Sequence, residues 1–199
     1  MKKISLTKEE LEKLYLQEKN SVRVIAERFS CSEQRINYWL AKYGIPKRSI
    51  SESIYLKNNP NGDPFSFKKP TTLDEAFLFG LGMGLYWGEG NKKNLNTVRL
   101  GNTDPRLVKK FIEFLENTYR VKKEKFRFGL QIFSDMSPRS ALTFWVKSLR
   151  VSEKQFGKVI VTPARSLGTY RHKTRHGVLT VYVSNKKLRD LLCAEVEKL

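Results

Sequence analysis

The chain has 199 residues, with 38 Lys and Arg against 20 Asp and Glu, for a formal net charge of +18 and a pI near 10. Such a field draws nucleic acid or an anionic membrane surface, and its clustering argues against a merely solubilising coat: no acidic residue occurs from Lys154 to Arg189. At 40% hydrophobic and 12% aromatic the chain is no disordered basic tail, and its longest apolar stretch, Ala76–Trp87, carries three glycines and is too short to span a bilayer.

The N-terminus, MKKISLTKEE, lacks the apolar run of a signal peptide, and Cys31 and Cys193 stand far apart with no metal spacing. Together these predict a cytoplasmic, nucleoid-associated protein with no membrane partner. Thr7 and Glu10 form a capping box that opens a first helix carrying Leu11, Leu14 and Tyr15. Ser21 caps a short second helix with Val22, Ile25 and Ala26 inward, Phe29 closes it, and Ser30-Cys31 is a tight turn. Ser32 caps a third helix with Ile36, Trp39 and Leu40 as its buried stripe; Gly44 ends it and Pro46 prevents its restart.

This segment, VIAERFSCSEQRINYWLAKYGIPKR, resembles the helix-turn-helix modules of resolvases and related DNA-binding proteins. The resemblance implies that the third helix enters the major groove, with Glu33, Gln34, Arg35, Asn37 and Tyr38 on its outward or leading face. Gln34 and Asn37 suit adenine and Arg35 suits guanine. A three-helix protein-interaction module with a polar face is the plainer alternative. Lys47 and Arg48 then either track phosphate or a minor groove, or form a solvated hinge. Pro, Gly and Asn dominate from Asn58 to Pro64, so residues 49–71 read as a linker between a domain at 1–48 and another at 72–199.

Thr72 and Glu75 make a second capping box, and the helix EAFLFGLGMGLYWGEG follows. Gly80, Gly84 and Gly88 recur on one face, each costing about 0.5–1 kcal/mol relative to alanine. Close packing of another helix onto that stripe would offset the cost. Phe77, Leu78, Leu81, Leu85 and Trp87 make the helix apolar nearly all round. Glu89 closes it, at the wrong end of the macrodipole by about 0.3–1 kcal/mol. A divalent cation or a basic partner would reverse that sign. Two copies packed glycine to glycine would bring two Glu89 side chains together, and paired carboxylates holding Mg²⁺ suit phosphodiester hydrolysis.

GMGLYWGEG, residues 82–90, resembles the nine-residue motif of the LAGLIDADG homing endonucleases, and the resemblance runs on through TVRLGNTDPRLVKKFIEFLENTY to cover residues 72–199. It implies an αββαββα saddle with an antiparallel sheet, so that the fold class of the chain is α+β. It implies a Mg²⁺ site at Gly88 and Glu89, with Glu89 catalytic. Trp87 stands where the family has an earlier acidic residue that is not the metal ligand. One copy of the motif implies a homodimer through Gly80, Gly84 and Gly88 on a (pseudo)palindromic duplex.

Strand 97–102 turns Arg99 outward, and a helix spans Pro105 to Tyr119 with Leu107, Phe111, Ile112 and Leu115 inward. Strand 125–133 exposes Arg127 and Gln131; a helix covers 138–149; strand 157–162 exposes Lys158; strand 177–184 exposes Thr180 and Tyr182; a last helix starts at Lys186. The outward polar residues form a candidate DNA-facing surface. Between the last two strands, ARSLGTYRHKTRHG carries Arg165, Arg171, Lys173 and Arg175. The plain reading is a mobile phosphate-touching loop; the sharper one has Lys173 or Arg175 stabilising charge at the scissile phosphate. His172 and His176 are a base, a ligand or simple phosphate contacts. Two functions therefore stay open: a homodimeric, Mg²⁺-dependent, site-specific DNA endonuclease, favoured by Glu89, and a DNA-binding regulator that has lost cleavage, favoured by the short stretch between Gly90 and Thr97. An RNA-binding or intron-maturation role is a third.

Overall fold

The computed structural model describes residues 6–164 and 174–198 and divides the chain into two compact units, Met1–Asp63 and Pro64–Leu199. The first unit holds α1 (Lys8–Glu12), which runs on through a π-helical turn at Lys13–Gln17, then α2 (Val22–Arg28), α3 (Glu33–Lys42) and α4 (Ile50–Asn58). Thr7, Ser21 and Ser32 cap the first three helices as expected, Thr7 with the full capping box. Leu11, Leu14, Tyr15, Ile25, Ala26, Ile36, Trp39 and Leu40 form the core, which Leu6 and Ile45 complete. Between α2 and α3 the chain turns at Ser30, φ +49°, and the Cys31 N–H reaches back 2.9 Å to the Ala26 carbonyl. Gly44 follows α3 at φ +67°, the left-handed geometry in which glycine carries no Cβ penalty.

The stretch read as a linker is more ordered than its composition suggests. Helix α4 lies inside it, because Ser49 caps the first turn and nothing from Ile50 to Asn58 breaks a helix. It buries no residue, and Ile50 and Ile54 face solvent. Further on, Ser66 and Lys68 donate backbone hydrogen bonds of 2.9 and 2.7 Å to the Tyr119 and Thr118 carbonyls.

The second unit contains α5 (Leu73–Glu89), β1 (Val98–Asn102), α6 (Pro105–Tyr119), β2 (Arg127–Phe133), α7 (Pro138–Leu149), β3 (Ile160–Thr162), β4 (Val178–Val183) and α8 (Lys186–Val196). The strands form one sheet in the order β1-β4-β2-β3. Val98, Leu100, Phe128, Leu130, Ile132, Leu179, Val181 and Val183 face the helices and make one core with Met83, Tyr86, Phe111, Phe114, Trp145, Leu188 and Leu192. This is an α+β unit, but its sheet is mixed rather than antiparallel. β3 runs parallel to β2, because the α7 crossover returns the chain to the end of the sheet from which β2 started. Only one strand stands between α5 and α6, where the αββ order expected two. The missing strand is reduced to a single bridge from Gly90 to Leu100. The segment after it spends its polar groups on local turns: the Asn94 N–H bonds Asn91 Oδ1 at 3.1 Å and the Asn96 N–H bonds Asn94 Oδ1 at 3.0 Å. On α6, Val108 and Phe114 are fully buried while Leu107 and Ile112 lie at the margin.

Gly82, outside the predicted stripe, sets how closely α5 approaches α6. A Cβ there would overlap the Phe114 ring, whereas Gly80, Gly84 and Gly88 have nothing within 4 Å of theirs. At the N-terminus of α5 the Glu75 carboxylate accepts from the Lys68 ammonium and from the backbone N–H and hydroxyl of Thr71, which hold its pKa down to about 2.

Gly82→Ala should lower the stability of the second unit by about 1–3 kcal/mol through overpacking against Phe114, while Gly84→Ala should raise that of the protomer by up to about 1 kcal/mol; urea denaturation distinguishes them. The depressed Glu75 pKa gives stability that is complete above the ordinary value near 4.5 and is lost as the pH falls towards 2. Glu75→Gln should therefore flatten the acid limb of the stability curve in that window, measured by thermal midpoint against pH.

Candidate nucleic-acid interface

Alternation along the strands leaves the second sheet face to polar and small residues, and the register aligns them in rows. Arg99 on β1 lies beside Tyr182 on β4, which lies beside Arg127 on β2. The Arg99 guanidinium sits 5.0 Å from the Tyr182 ring centre, a cation–π contact, and its Nε has no hydrogen-bond partner among the described residues. Arg127 is exposed, although one of its Nη atoms donates to the Glu124 and Phe126 carbonyls at 2.7 and 2.9 Å. The next row, Gly101–Thr180–Gly129, is small and leaves a shallow band beside the cations. Beyond it Gln131 donates 3.0 Å to the Thr162 hydroxyl, tying β2 to β3. Lys158 is exposed just before β3. These sheet residues share one surface, as their spacing suggested.

Helix α5 ends at the β1 edge of this sheet. Gly90 bridges Leu100, and the Asn91 N–H bonds the Arg99 carbonyl at 2.9 Å, so Glu89 stands at the margin of the sheet. Its carboxylate is exposed and takes no partner among the described residues. Sequence reasoning missed how the end of this helix is held. The Lys92 ammonium bonds the Trp87 carbonyl, which supplies the positive charge a helix C-terminus favours. The Lys92 carbonyl in turn accepts 2.6 Å from Arg189 on α8. A Lys three residues past the helix was the available signal for the first contact; nothing local marked the second.

The exposed side of α5 is apolar. Leu73, Phe77 and Trp87 are 89, 71 and 60% exposed, and Gly80, Gly84 and Gly88 lie open along the same helix. Among the described residues no three Asp, Glu, His or Cys side chains gather as a metal site within the chain. Arg175 is exposed in the turn before β4 and forms no hydrogen bond or ion pair with Glu89. Its neighbour His176 packs instead: the imidazole stacks on Phe144 at 3.6 Å, its carbonyl accepts from the Trp145 indole at 2.8 Å, and burial, with Arg175 adding to it, holds its pKa below the usual value. Arg165, Arg171, His172 and Lys173 lie outside the described residues.

In the first unit Gln34 and Tyr38 are exposed and Asn37 is half-buried, at a spacing that puts all three on one face of α3. Arg35 is exposed but leans over Trp39, 5.1 Å from its ring centre. Lys47 is exposed, and Arg48 has another task. Its guanidinium bonds the carbonyls of Lys19 at 3.2 Å, Asn20 at 3.1 Å and Tyr15, and stacks 4.0 Å over the Tyr15 ring. It thereby satisfies carbonyls at the end of the first helical segment.

No known family, curated protein or solved structure matches the chain. No described helix is long and apolar enough to cross a membrane.

Because Arg48 is committed to three carbonyls, Arg48→Ala should destabilise the first unit by about 2 kcal/mol, and Arg48→Lys should restore little, since an ammonium has no planar fork. Lys47→Ala should leave the urea midpoint unchanged.

Proposed function

We propose that this chain is a site-specific double-stranded DNA-binding protein that acts as a homodimer through α5 and hydrolyses phosphodiester bonds with Mg²⁺. The observation that carries the reading is one coincidence at the sheet margin. An open face of α5, apolar and glycine-striped, leads to Glu89, a carboxylate with no partner among the described residues, beside a sheet face that bears Arg99, Tyr182 and Arg127. A second copy of α5 would cover the stripe, restore what its glycines cost, and bring two Glu89 carboxylates near the two-fold axis. One such carboxylate per protomer is too few to hold a hard cation; the pair, with phosphate oxygens and water, fits Mg²⁺, which would activate water and stabilise the leaving oxygen. The cationic sheet face would position the duplex, and α3, with Gln34, Arg35, Asn37 and Tyr38, would extend the site as the reading helix of a helix-turn-helix.

A regulator that binds DNA without cutting it is the second reading. It is favoured by the segment after Gly90, which forms one bridge where a DNA-reading ribbon would need a full strand.

A plasmid library with Mg²⁺, treated with the protein and with Glu89→Gln, separates the two. Cutting by the wild type alone supports the nuclease. Tight binding that falls steeply with salt, with no cutting by either protein, sinks it and leaves the regulator. Gly84→Leu should turn the dimer into a monomer in sedimentation; a dimer that persists rules out the α5 interface.

A further inference from the structure

In a chain of net charge +18, helix α3 presents an uncharged strip. Its inner side is fixed, because Ile36 and Leu40 are fully buried and Trp39 nearly so in the core of the first unit. A helix seated on three such residues has little freedom to roll, so the side opposite them is fixed as well. Gln34, Asn37, Tyr38 and Ala41 recur on that side at i, i+3, i+4 and i+7. Gln34, Tyr38 and Ala41 are exposed and Asn37 is half-buried. The Gln34 and Asn37 amides form no hydrogen bond among the described residues. The charged residues of α3 stand to the sides of the strip, Arg35 and Lys42 on one flank and Glu33 on the other. Arg35 is drawn further aside by Trp39, whose ring centre lies 5.1 Å from the guanidinium.

Base pairs differ in what they offer at the major-groove edge. Guanine presents two acceptors, which a guanidinium meets with two donors. Adenine presents an acceptor beside a donor, the pattern that a carboxamide completes with its N–H and its carbonyl. Thymine adds a methyl group that favours apolar contact. The strip carries two carboxamides, an aromatic ring and a methyl group, and none of its four residues is a cation. From Gln34 to Ala41 it is about 10 Å long, the rise of about three base pairs.

We propose that α3 selects a short run of A·T pairs. Gln34 and Asn37 each pair with an adenine, Tyr38 and Ala41 lie against thymine methyl groups, and Arg35 and Lys42 hold flanking phosphates rather than a guanine. This rests on the reading that the protein binds duplex DNA through α3, and adds which base pairs that helix selects.

Selection from a random duplex library by the full chain tests it, repeated with the double variant Gln34→Ala/Asn37→Ala and with Arg35→Ala. The positions whose preference disappears in the double variant are those α3 reads, and they should be A·T. Replacing one of them by G·C should weaken wild-type binding about 5- to 150-fold, the range of one bidentate pair, in fluorescence anisotropy at fixed salt. Arg35→Ala should weaken binding to both duplexes alike and leave that ratio unchanged. G·C at those positions, a preference that survives the double variant, or a ratio that collapses in Arg35→Ala each overturns the proposal. Salt-dependent duplex binding without base preference overturns it alone, whereas no duplex binding at all overturns the DNA-binding reading together with it.

Discussion

Much in the second unit depends on how closely α5 is seated on α6. With only a hydrogen at position 82, the α5 backbone comes down onto the Phe114 ring, and Tyr86 stacks on Phe111 one turn further along. Phe79, Phe67 and Tyr119 extend the same aromatic layer, with ring centres about 6 Å apart. A helix held this tightly on one side has little freedom to roll, so its opposite side is fixed in its exposure. The direction in which Leu73, Phe77 and Trp87 point, and the place where Glu89 emerges, follow from that contact. The end of the helix is then held through Lys92 by Arg189, which ties the turn after Glu89 to α8.

The net charge of +18 overstates the cations available to a ligand. Arg48 is bound to three carbonyls of the first unit, Arg127 donates to two of its neighbours' carbonyls, and Arg189 is divided between Asp190 and the Lys92 carbonyl. Arginine suits this work because its planar fork reaches several acceptors at once and keeps its charge when partly buried. Lys47 and Lys158, by contrast, remain exposed. A basic chain thus spends part of its charge on its own carbonyls before any partner arrives.

The elements that were legible in the sequence are those governed by local rules. Hydroxyl caps at Thr7, Ser21, Ser32 and Thr72, proline at the first turn of α6, and period-two alternation in β2 and β4 placed most boundaries. What escaped depends on partners distant in sequence. Gly82 differs from Gly80 and Gly84 only by the ring of Phe114, some thirty residues on, so spacing alone did not single it out as the glycine that seats α5 within the protomer. Arg48 looked like an outward cation because its acceptors belong to residues 15–20. The direction of β3 is a property of the α7 crossover, and α4 was hidden by the proline and glycine that follow it. Of the candidate interface, the alternation placed Arg99, Arg127, Gln131 and Tyr182 on the second sheet face, where Arg127 and Gln131 are exposed and Arg99 and Tyr182 half-buried; their alignment in rows required the register.

The three tryptophans happen to divide the molecule between them. Trp39 is buried in the core of the first unit, Trp145 is fully buried in the second with its indole on the His176 carbonyl, and Trp87 is 60% exposed on the uncovered side of α5. An indole in a core emits at shorter wavelength than one in water. The intrinsic fluorescence of this chain therefore contains one reporter for each folding unit and a third for whatever comes to lie on α5, with no label introduced.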